Sequence, residues 1–510
     1  MAEKENICII GAGPAGLATI KSCLEYGLTP VCYEKASDIG GLWNTVERKR
    51  TGFIPQIYES LVANVSKEGS CFSDFPVPKE WPPYLRQKQT LEYLRMYAEH
   101  FNLLEHVIYN TEVTSVRESA THDETGSWIV YIKTGKEEIE KEFRAVIVAT
   151  GQLNEQIRPD IPGLSDKFKG EIISSGVFEA NESFRDKSVV IIGCGHSGCD
   201  IAVECAELTQ KIYISARHGA WLLPRMSLSK GLPVDLAGIN RFKASLVKLA
   251  PTWMVQSILR SLFESRFDHT ASGLTSQYPI GSLRGTVAMN DQIQIKIYSG
   301  QVKVKPGIKC FDEHSVTFED GSKEHVDIVV VSTGYTSKFP FLPKHVIPAN
   351  ASDRKLHWWI FPIEAKHSDT LTFVGLIPIG NGPVNSTAEL QSRYVAQVLS
   401  GERSLPSKIE MKKLWKQQRE SIIRRAEGEY VYRVTILEYR EELAKYMKLL
   451  PSFSWLLFTD PKLAFNVYFG PPLPYHFRLS GPHKWEKARE HSLQAIENEM
   501  AGMRSSSEDA

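Results

Sequence analysis

The chain opens with a short apolar run, Ile7-Cys8-Ile9-Ile10, rich in β-branched residues and closed by Gly11. Unbroken apolarity over that length marks a strand buried on both faces, as in a parallel sheet. Past the glycines the period lengthens to that of a helix, through Leu17, Ala18 and Leu24, and Pro30-Val31-Cys32-Tyr33 predicts the next strand. The same succession of strand, turn, helix and strand returns over residues 188–215. Between the two copies, residues 89–101 have helical period, 107–117 and 127–133 read as antiparallel strands, and Ala145-Val146-Ile147-Val148-Ala149 is another buried run. Residues 290–297 and 302–304 extend the second copy, 386–399 predict a helix, and the polar stretch 490–510 predicts a frayed end.

Both copies turn on one spacing, Gly11-Ala12-Gly13-Pro14-Ala15-Gly16 and Gly193-Cys194-Gly195-His196-Ser197-Gly198. Gly11 and Gly13 let the backbone turn tightly and approach a pyrophosphate, and Gly16 lets the helix pack on the strand. The phosphates then meet a helix N-terminus, where free N–H groups and the dipole favour negative charge. Gly193, Gly195, Ser197 and Gly198 take the same places in the second copy. The first copy's second strand runs into Glu34, about 20 residues past the turn, where a carboxylate hydrogen-bonds a ribose. In the second copy the corresponding strand ends in Ser215-Ala216, followed by Arg217 and, further on, Arg225. Exchanging the carboxylate for arginine admits a 2′-phosphate, the alternative being an ordinary surface arginine. The first turn is therefore expected to hold a dinucleotide without the 2′-phosphate, and the second to hold NADPH. Ala149-Thr150-Gly151 and Ser332-Thr333-Gly334-Tyr335 mark the crossovers between the modules and place Thr150, Thr333 and Gly334 among the expected cofactor contacts. Two such modules in one chain mean a flavoprotein that reads NADPH.

Composition narrows the picture. Lys+Arg and Asp+Glu balance at 60 each, so the bulk charge attracts no nucleic acid. The 8 cysteines show neither a CxxC pair nor zinc spacing, so no metal site is expected, and they read as small buried hydrophobes of a reducing compartment. The first six residues carry no apolar core and no later run is long enough to span a bilayer. The expectation is a cytoplasmic protein without signal peptide or transmembrane helix. The fold class expected is α/β, with two nested Rossmann-like modules. The first is formed by 1–156 and 330–445, and the second by 157–329. A mostly helical insertion covers 222–286 and a C-terminal extension 446–510. Within the insertion, residues 239–267 space Phe242, Leu246, Leu249, Met254, Ile258 and Leu262 among Lys and Arg, with Pro251 dividing two helices. They form either a packed lid or a helix pair lying on a membrane surface.

With these residues in hand, the chain resembles the flavin-containing monooxygenases (class B flavoprotein monooxygenases) over nearly its whole length. Besides the two glycine turns, the resemblance is carried by Asp38-Ile39-Gly40-Gly41-Leu42-Trp43, Asn64-Val65-Ser66-Lys67-Glu68, Cys71-Phe72-Ser73-Asp74-Phe75-Pro76 and Glu389-Leu390-Gln391. Thr459-Asp460-Pro461-Lys462 and Tyr468-Phe469-Gly470-Pro471 complete it. It implies FAD in the first module, NADPH in the second, and O2 and a small nucleophile as substrates. The implied chemistry is a flavin C4a-hydroperoxide that oxygenates soft N or S atoms. Baeyer–Villiger insertion beside a ketone, or uncoupled oxidation of NADPH to H2O2, stand as alternatives. Gly40, Gly41, Leu42, Trp43, Asn64 and Gln391 carry over as cofactor contacts. Asn64 is also the implied catalytic residue, because its amide both donates and accepts beside the flavin. Two departures matter. Ser174 stands in Phe168-Lys169-Gly170-Glu171-Ile172-Ile173-Ser174 where the family has histidine, which bears on coupling between the modules. The end of the chain lacks the hydrophobic anchor of many relatives, which implies a soluble protein or one held peripherally at the endoplasmic reticulum surface. The oligomeric state is left open.

Overall fold

The two apolar successions fold into two parallel sheets. The computed structural model describes residues 6–47, 57–58, 60–227, 231–238, 240–377, 382–426, 428–431 and 433–503. Along the chain come β1 (Asn6–Ile10), α1 (Pro14–Glu25), β2 (Thr29–Tyr33), β3 (Val107–Ile108), β4 (Ala145–Val148), β5 (Glu171–Ser174) and β6 (Ser188–Ile192). These are followed by α2 (His196–Cys205), β7 (Lys211–Ser215), β8 (Val302–Lys305), β9 (Ile328–Val331) and β10 (Leu371–Phe373). The first sheet has the order β10-β4-β1-β2-β3 and the second β8-β7-β6-β9-β5, with every pairing parallel. This is the α/β architecture the sequence predicts, one dinucleotide-type sheet interrupting another.

Alternation along each first strand feeds two cores. Ile7 and Ile9 pack with Leu17 of α1 and Leu390, whereas Cys8 and Ile10 pack on the opposite face with Val116, Trp128 and Val130. In the second sheet Val189 and Ile191 face one cluster while Val190 and Ile192 face another. The residues opposite Cys8 come from an antiparallel sheet of Thr111–Glu118, Trp128–Thr134 and Glu137–Phe143. Its third strand is absent from the sequence reading because all its residues but Phe143 are exposed. It is a polar edge strand held by its ladder to Trp128–Thr134.

Within the second module, strand Trp221–Leu223 pairs in parallel with Val287–Met289. Between them lie Val234–Ala237, α3 (Arg241–Leu249) and α4 (Thr252–Glu264), with Pro251 at the break between the last two. After the second sheet, α5 (Val384–Leu399) is buried from Asn385 to its end and packs on α1, where Thr19 Oγ1 lies 3.1 Å from Ser392 Oγ. Then follow α6 (Phe453–Thr459), α7 (Pro461–Phe469) and α8 (Ala488–Met500). Residues 490–503 of the expected frayed end are instead docked. Ser492, Ala495 and Glu499 are buried, and Glu499 Oε2 accepts a hydrogen bond from the Glu68 backbone N–H at 3.0 Å. Gly502 backs onto the Trp81 carbonyl oxygen, which a β-carbon would approach to 2.3 Å. Residues 504–510 lie outside the described part. No helix of the described residues is long and apolar enough to cross a membrane, and no cluster of metal-ligating side chains occurs among them.

The C-terminal extension is tied to the first module by buried charge. Arg478, only 1% exposed, lies 3.0 Å from Glu25 Oε1, 2.9 Å from Asp74 Oδ2 and 3.1 Å from Glu389 Oε1. Its Nε donates to Ser73 Oγ, and Lys21 completes the cluster by pairing with Glu25 and Asp74. Burial would raise the Glu25 carboxyl, but the Arg478 and Lys21 charges outweigh it and hold that carboxyl at about 2. A depressed carboxyl stabilises the fold above its unfolded value, and that contribution is lost as pH falls toward the folded value. Arg478→Met should therefore strip Glu389 of its ion pair, leave Glu25 and Asp74 to Lys21 alone, and cost about 3–5 kcal/mol in urea unfolding at neutral pH. It should also flatten the loss of stability between the ordinary glutamate value of 4.5 and pH 3.

Candidate functional site

At the first turn Gly11 has φ +100°, and a β-carbon on Gly16 would lie 1.9 Å from the Gly11 carbonyl oxygen. Helix α1 can thus start against β1 only because neither residue has a side chain there. The loop after β2 folds back over this turn. Gly40, at φ +106°, donates its N–H to the Ala12 carbonyl at 3.1 Å, and Gly41 faces Gly13 so closely that a β-carbon would be 3.1 Å from the Gly13 Cα. Leu42 and Trp43 complete a single 3-10 turn, Gly41–Trp43. Glu34 reaches the same place, its carboxylate accepting from the N–H groups of Ala12 at 2.6 Å and Ala36 at 2.9 Å. The N-cap of α1, Gly13, makes no side-chain cap, which leaves the first N–H groups of the helix for a ligand. Thr150 Oγ1, at the end of β4, is buried without a hydrogen-bond partner. A side-chain-free cradle, an uncapped helix start and an orphaned hydroxyl fit a bound dinucleotide.

The second turn repeats this geometry. Gly193 has φ +110°, and a β-carbon on Gly198 would come within 2.1 Å of its carbonyl oxygen. Gly195 caps α2 without a side-chain bond and has open space where a β-carbon would stand, and Ser197 follows in the first helical turn. Gly193 N–H bonds the Ser215 carbonyl at 3.1 Å, which brings the end of β7 to the turn. Arg217 then projects into solvent, its Nε donating to His218 Nε2 at 2.9 Å. Its two terminal nitrogens have no partner among the described residues, so a planar fork stands free where the first turn has Glu34.

Asn64 lies on a loop of the first module that is clamped to the second. Its Oδ1 accepts from Arg225 Nη2 at 2.8 Å. Arg225, expected near the 2′-phosphate, is placed elsewhere: it is buried, with its donors committed. Its backbone N–H and Nη1 both reach the Asp291 carboxylate at 2.8 Å, Nε reaches the Ala63 carbonyl at 3.2 Å, and Nη2 also reaches the Val62 carbonyl at 3.3 Å. Neighbouring bonds extend the clamp: Ser66 Oγ to Asp235 Oδ2 at 2.7 Å, Tyr84 OH to the Arg225 carbonyl at 2.5 Å, and Tyr58 OH to Asp200 Oδ2 at 2.5 Å. Sequence reasoning missed Asp235, Asp291 and Tyr84, which no motif spacing announces.

Three further expected contacts act as braces here. Gln391 is fully buried, its Oε1 accepting from the Gly375 N–H at 2.9 Å and its Nε2 donating to Tyr439 OH at 2.7 Å. It touches the first turn only through Gly375, whose missing β-carbon would lie 3.0 Å from Ala15 Cβ. Thr333 donates to the Ile157 carbonyl at 2.5 Å and Gly334 accepts from the Ile157 N–H at 3.0 Å, which pins the crossover. Ser174 ends β5 and turns its hydroxyl to the Gly176 N–H at 3.0 Å.

Two dinucleotide turns, one closed by a carboxylate and one by a free guanidinium, define a flavoprotein of the FAD and NADP type. The chain belongs to the flavin-binding monooxygenase-like family, whose model matches residues 4–508. It is 38% identical over 498 residues to flavin-containing monooxygenase 1 of Sus scrofa, covering 95% of this chain and 91% of that protein. Identity to flavin-containing monooxygenase 5 of Cavia porcellus is also 38%, over 499 residues and the same shares. Among solved structures, the S-allyl-L-cysteine S-oxygenase of Allium sativum superimposes with a TM-score of 0.63 at 24% identity, over 97% of this chain and 98% of that one. That likeness is one of fold. The protein is an oxidoreductase, a flavin-containing monooxygenase with FAD and NADPH as cofactors and O2 and a small molecule as substrates.

Arg217→Ala should weaken NADPH binding by about 1.5–3 kcal/mol and leave NADH unaffected, because the fork meets only the 2′-phosphate. The ratio of the two dissociation constants, from titration of the oxidised enzyme, checks this. An unchanged ratio would remove Arg217 as the reader.

Proposed function

We propose that this monooxygenase transfers oxygen to soft nitrogen or sulfur nucleophiles, with Asn64 as the residue that touches the reacting oxygen. The observation that carries the reading is the Arg225 clamp on the Asn64 amide. A guanidinium only donates, so it fixes Asn64 Oδ1 toward itself. The amide nitrogen, which has no partner among the described residues, is thereby presented as a donor. FAD, once reduced by NADPH, supplies the activation of O2. The chain's own part is positional. Gly13 and Gly41 admit the pyrophosphate, Glu34 takes the ribose, Thr150 offers its hydroxyl, and Arg217 selects the phosphorylated nucleotide. No side-chain acid or base is needed for attack by a neutral amine or sulfide, so the requirement is a fixed donor and exclusion of water.

Asn64→Asp is a discriminating variant, since aspartate keeps the Arg225 contact and replaces the donor with a charged, acceptor-only oxygen. Losing a positioned donor costs on the order of 3 kcal/mol in the step it serves. Anaerobic reduction by NADPH should stay near the normal rate, while most NADPH consumed in air should end as H2O2 instead of sulfoxide. Slow reduction with normal coupling would move Asn64 to nicotinamide placement. Offering the wild type a sulfide and a ketone tests the reaction class. Lactone or ester as the main product would replace this reading with Baeyer–Villiger insertion.

A peripheral membrane contact completes the proposal. Helices α3 and α4 expose Leu246, Leu249, Trp253 and Ile258, and α6 and α7 expose Trp455, Phe458 and Phe465. The two groups meet where Phe242 packs on Phe469, with ring centroids 4.8 Å apart. Exposed Lys243, Lys248 and Lys462 border this apolar face, a combination suited to the boundary between headgroups and acyl chains of an anionic bilayer. The protein should co-sediment with phosphatidylserine-containing vesicles at low salt, and Trp253→Glu with Phe458→Glu should release it. Full recovery of the wild type in the supernatant would dismiss the contact.

A further inference from the structure

The second glycine turn contains a thiol pair that the turn itself does not require. Cys194 lies between Gly193 and Gly195, Cys199 lies in the second turn of α2, and their sulfurs are 3.8 Å apart. The first turn builds the same geometry with Ala12 and Leu17 at the matching positions, so two sulfurs are no condition for a strand to turn into a helix here. No other two cysteines are in sulfur contact among the described residues. The pair is also asymmetric. Cys199 is fully buried, and its thiol is pushed well up, first by its hydrogen bond with Cys194 and then by burial. Cys194 is 7% exposed and lies in the turn ahead of α2, so of the two sulfurs it is the one a small oxidant reaches first.

We propose that Cys194 and Cys199 form an oxidative modification site for hydrogen peroxide, whose product, a disulfide, closes the second nucleotide turn to NADPH. The Cys194 thiolate attacks one peroxide oxygen: an S–O bond forms, the O–O bond breaks, and hydroxide leaves to become water with a proton. The Cys199 sulfur then attacks the Cys194 sulfenic acid: the S–S bond forms, the S–O bond breaks, and the Cys199 proton leaves with the hydroxide as a second water. Two thiols lose two electrons and H2O2 is reduced to two waters. A disulfide holds its sulfurs about 2.05 Å apart, so the pair must close by well over 1 Å, through side-chain rotation together with movement of the Cys194 loop toward α2. That movement displaces Gly193 and Gly195, whose backbone lines the pyrophosphate position. Only the source of peroxide in turnover, uncoupled oxidation of NADPH, rests on the functional reading above.

The test uses the holoenzyme and added H2O2, with alkylation before and after reduction. Cleavage after lysine and arginine releases residues 188–211 as one peptide holding Cys194, Cys199 and Cys205. After peroxide that peptide should take one alkyl group, on Cys205, instead of three, and should regain the other two on reduction with dithiothreitol. Bound NADP+ should slow the change at least fivefold. The oxidised enzyme should bind NADP+ at least tenfold more weakly, again reversed by dithiothreitol. Cys199→Ala, or Cys194→Ala should the first fold poorly, should yield no internal disulfide and keep its NADP+ affinity through the treatment. Three alkyl groups on the wild-type peptide after peroxide would overturn the proposal. So would a disulfide that leaves NADP+ affinity unchanged. An enzyme that never binds NADP+ would fail the functional reading, while the alkylation pattern would still decide whether the site exists.

Discussion

A guanidinium has only donors to offer, and the meeting of the two modules is built on that restriction at Arg225. Its N–H groups are shared among the Asp291 carboxylate in its own module and Val62, Ala63 and Asn64 of the other. One buried cation therefore fixes the backbone of a loop, the rotation of an amide and the distance between two sheets at once. Placing a lysine there would keep the charge but lose the planar fork that reaches carboxylate, carbonyls and amide together. The surrounding bonds, Tyr84 to the Arg225 carbonyl and Asp235 to Ser66, hold the cation and the loop from both sides.

A second buried cation does comparable work at the other end of the first module. Arg478 joins the C-terminal extension to α1 through Glu25, to the loop before Phe75 through Asp74, and to α5 through Glu389. Such a cluster is a poor source of net stability, because desolvation offsets most of its attraction. Its value is registry. An apolar surface tolerates sliding, whereas three carboxylates converging on one fork accept a single arrangement. That explains why α5 is buried from Asn385 onward despite carrying Glu389, Gln391 and Arg393 on its faces. Each is answered by a named partner: Glu389 by Arg478, Gln391 by Gly375 and Tyr439, and Arg393 by the Phe477 carbonyl.

What the sequence discloses here follows from whether a residue's role is local. The glycines, Glu34 and the end of β7 at Ser215 and Arg217 act within about 25 residues of each other, so spacing alone places them around their turns. Pro251 divides α3 from α4 for the same local reason. Arg225 misled because its position near Arg217 in the chain suggests the nucleotide, whereas its partners are Asp291 and, more than 160 residues away, the Asn64 loop. The tail misled in the opposite way. Residues 490–503 are polar because helix α8 buries a narrow face, with Ser492 and Glu499 satisfied by tertiary contacts rather than by apolar periodicity. The strand Glu137–Phe143 carries almost no hydrophobic signal since both its faces are open to solvent until Phe143.

The two glycine turns share a backbone and differ in their roofs, and the difference matches what each nucleotide has to do. Over the first turn, Gly40 and Gly41 are folded back against Ala12 and Gly13, Leu91 lies against Gly40, and Gly375 backs onto Ala15. A ligand threaded under that cover leaves only if the loop lifts, which suits a cofactor retained through many cycles. Over the second turn, Gly195 has nothing within 4 Å of where a β-carbon would be, and Arg217 stands in solvent. An open cradle with one strong polar anchor favours rapid exchange, as a nucleotide consumed and released in every turnover requires. Residence time is thus encoded less in the shared glycine spacing, identical in both turns, than in whether the chain that follows each turn returns to cover it.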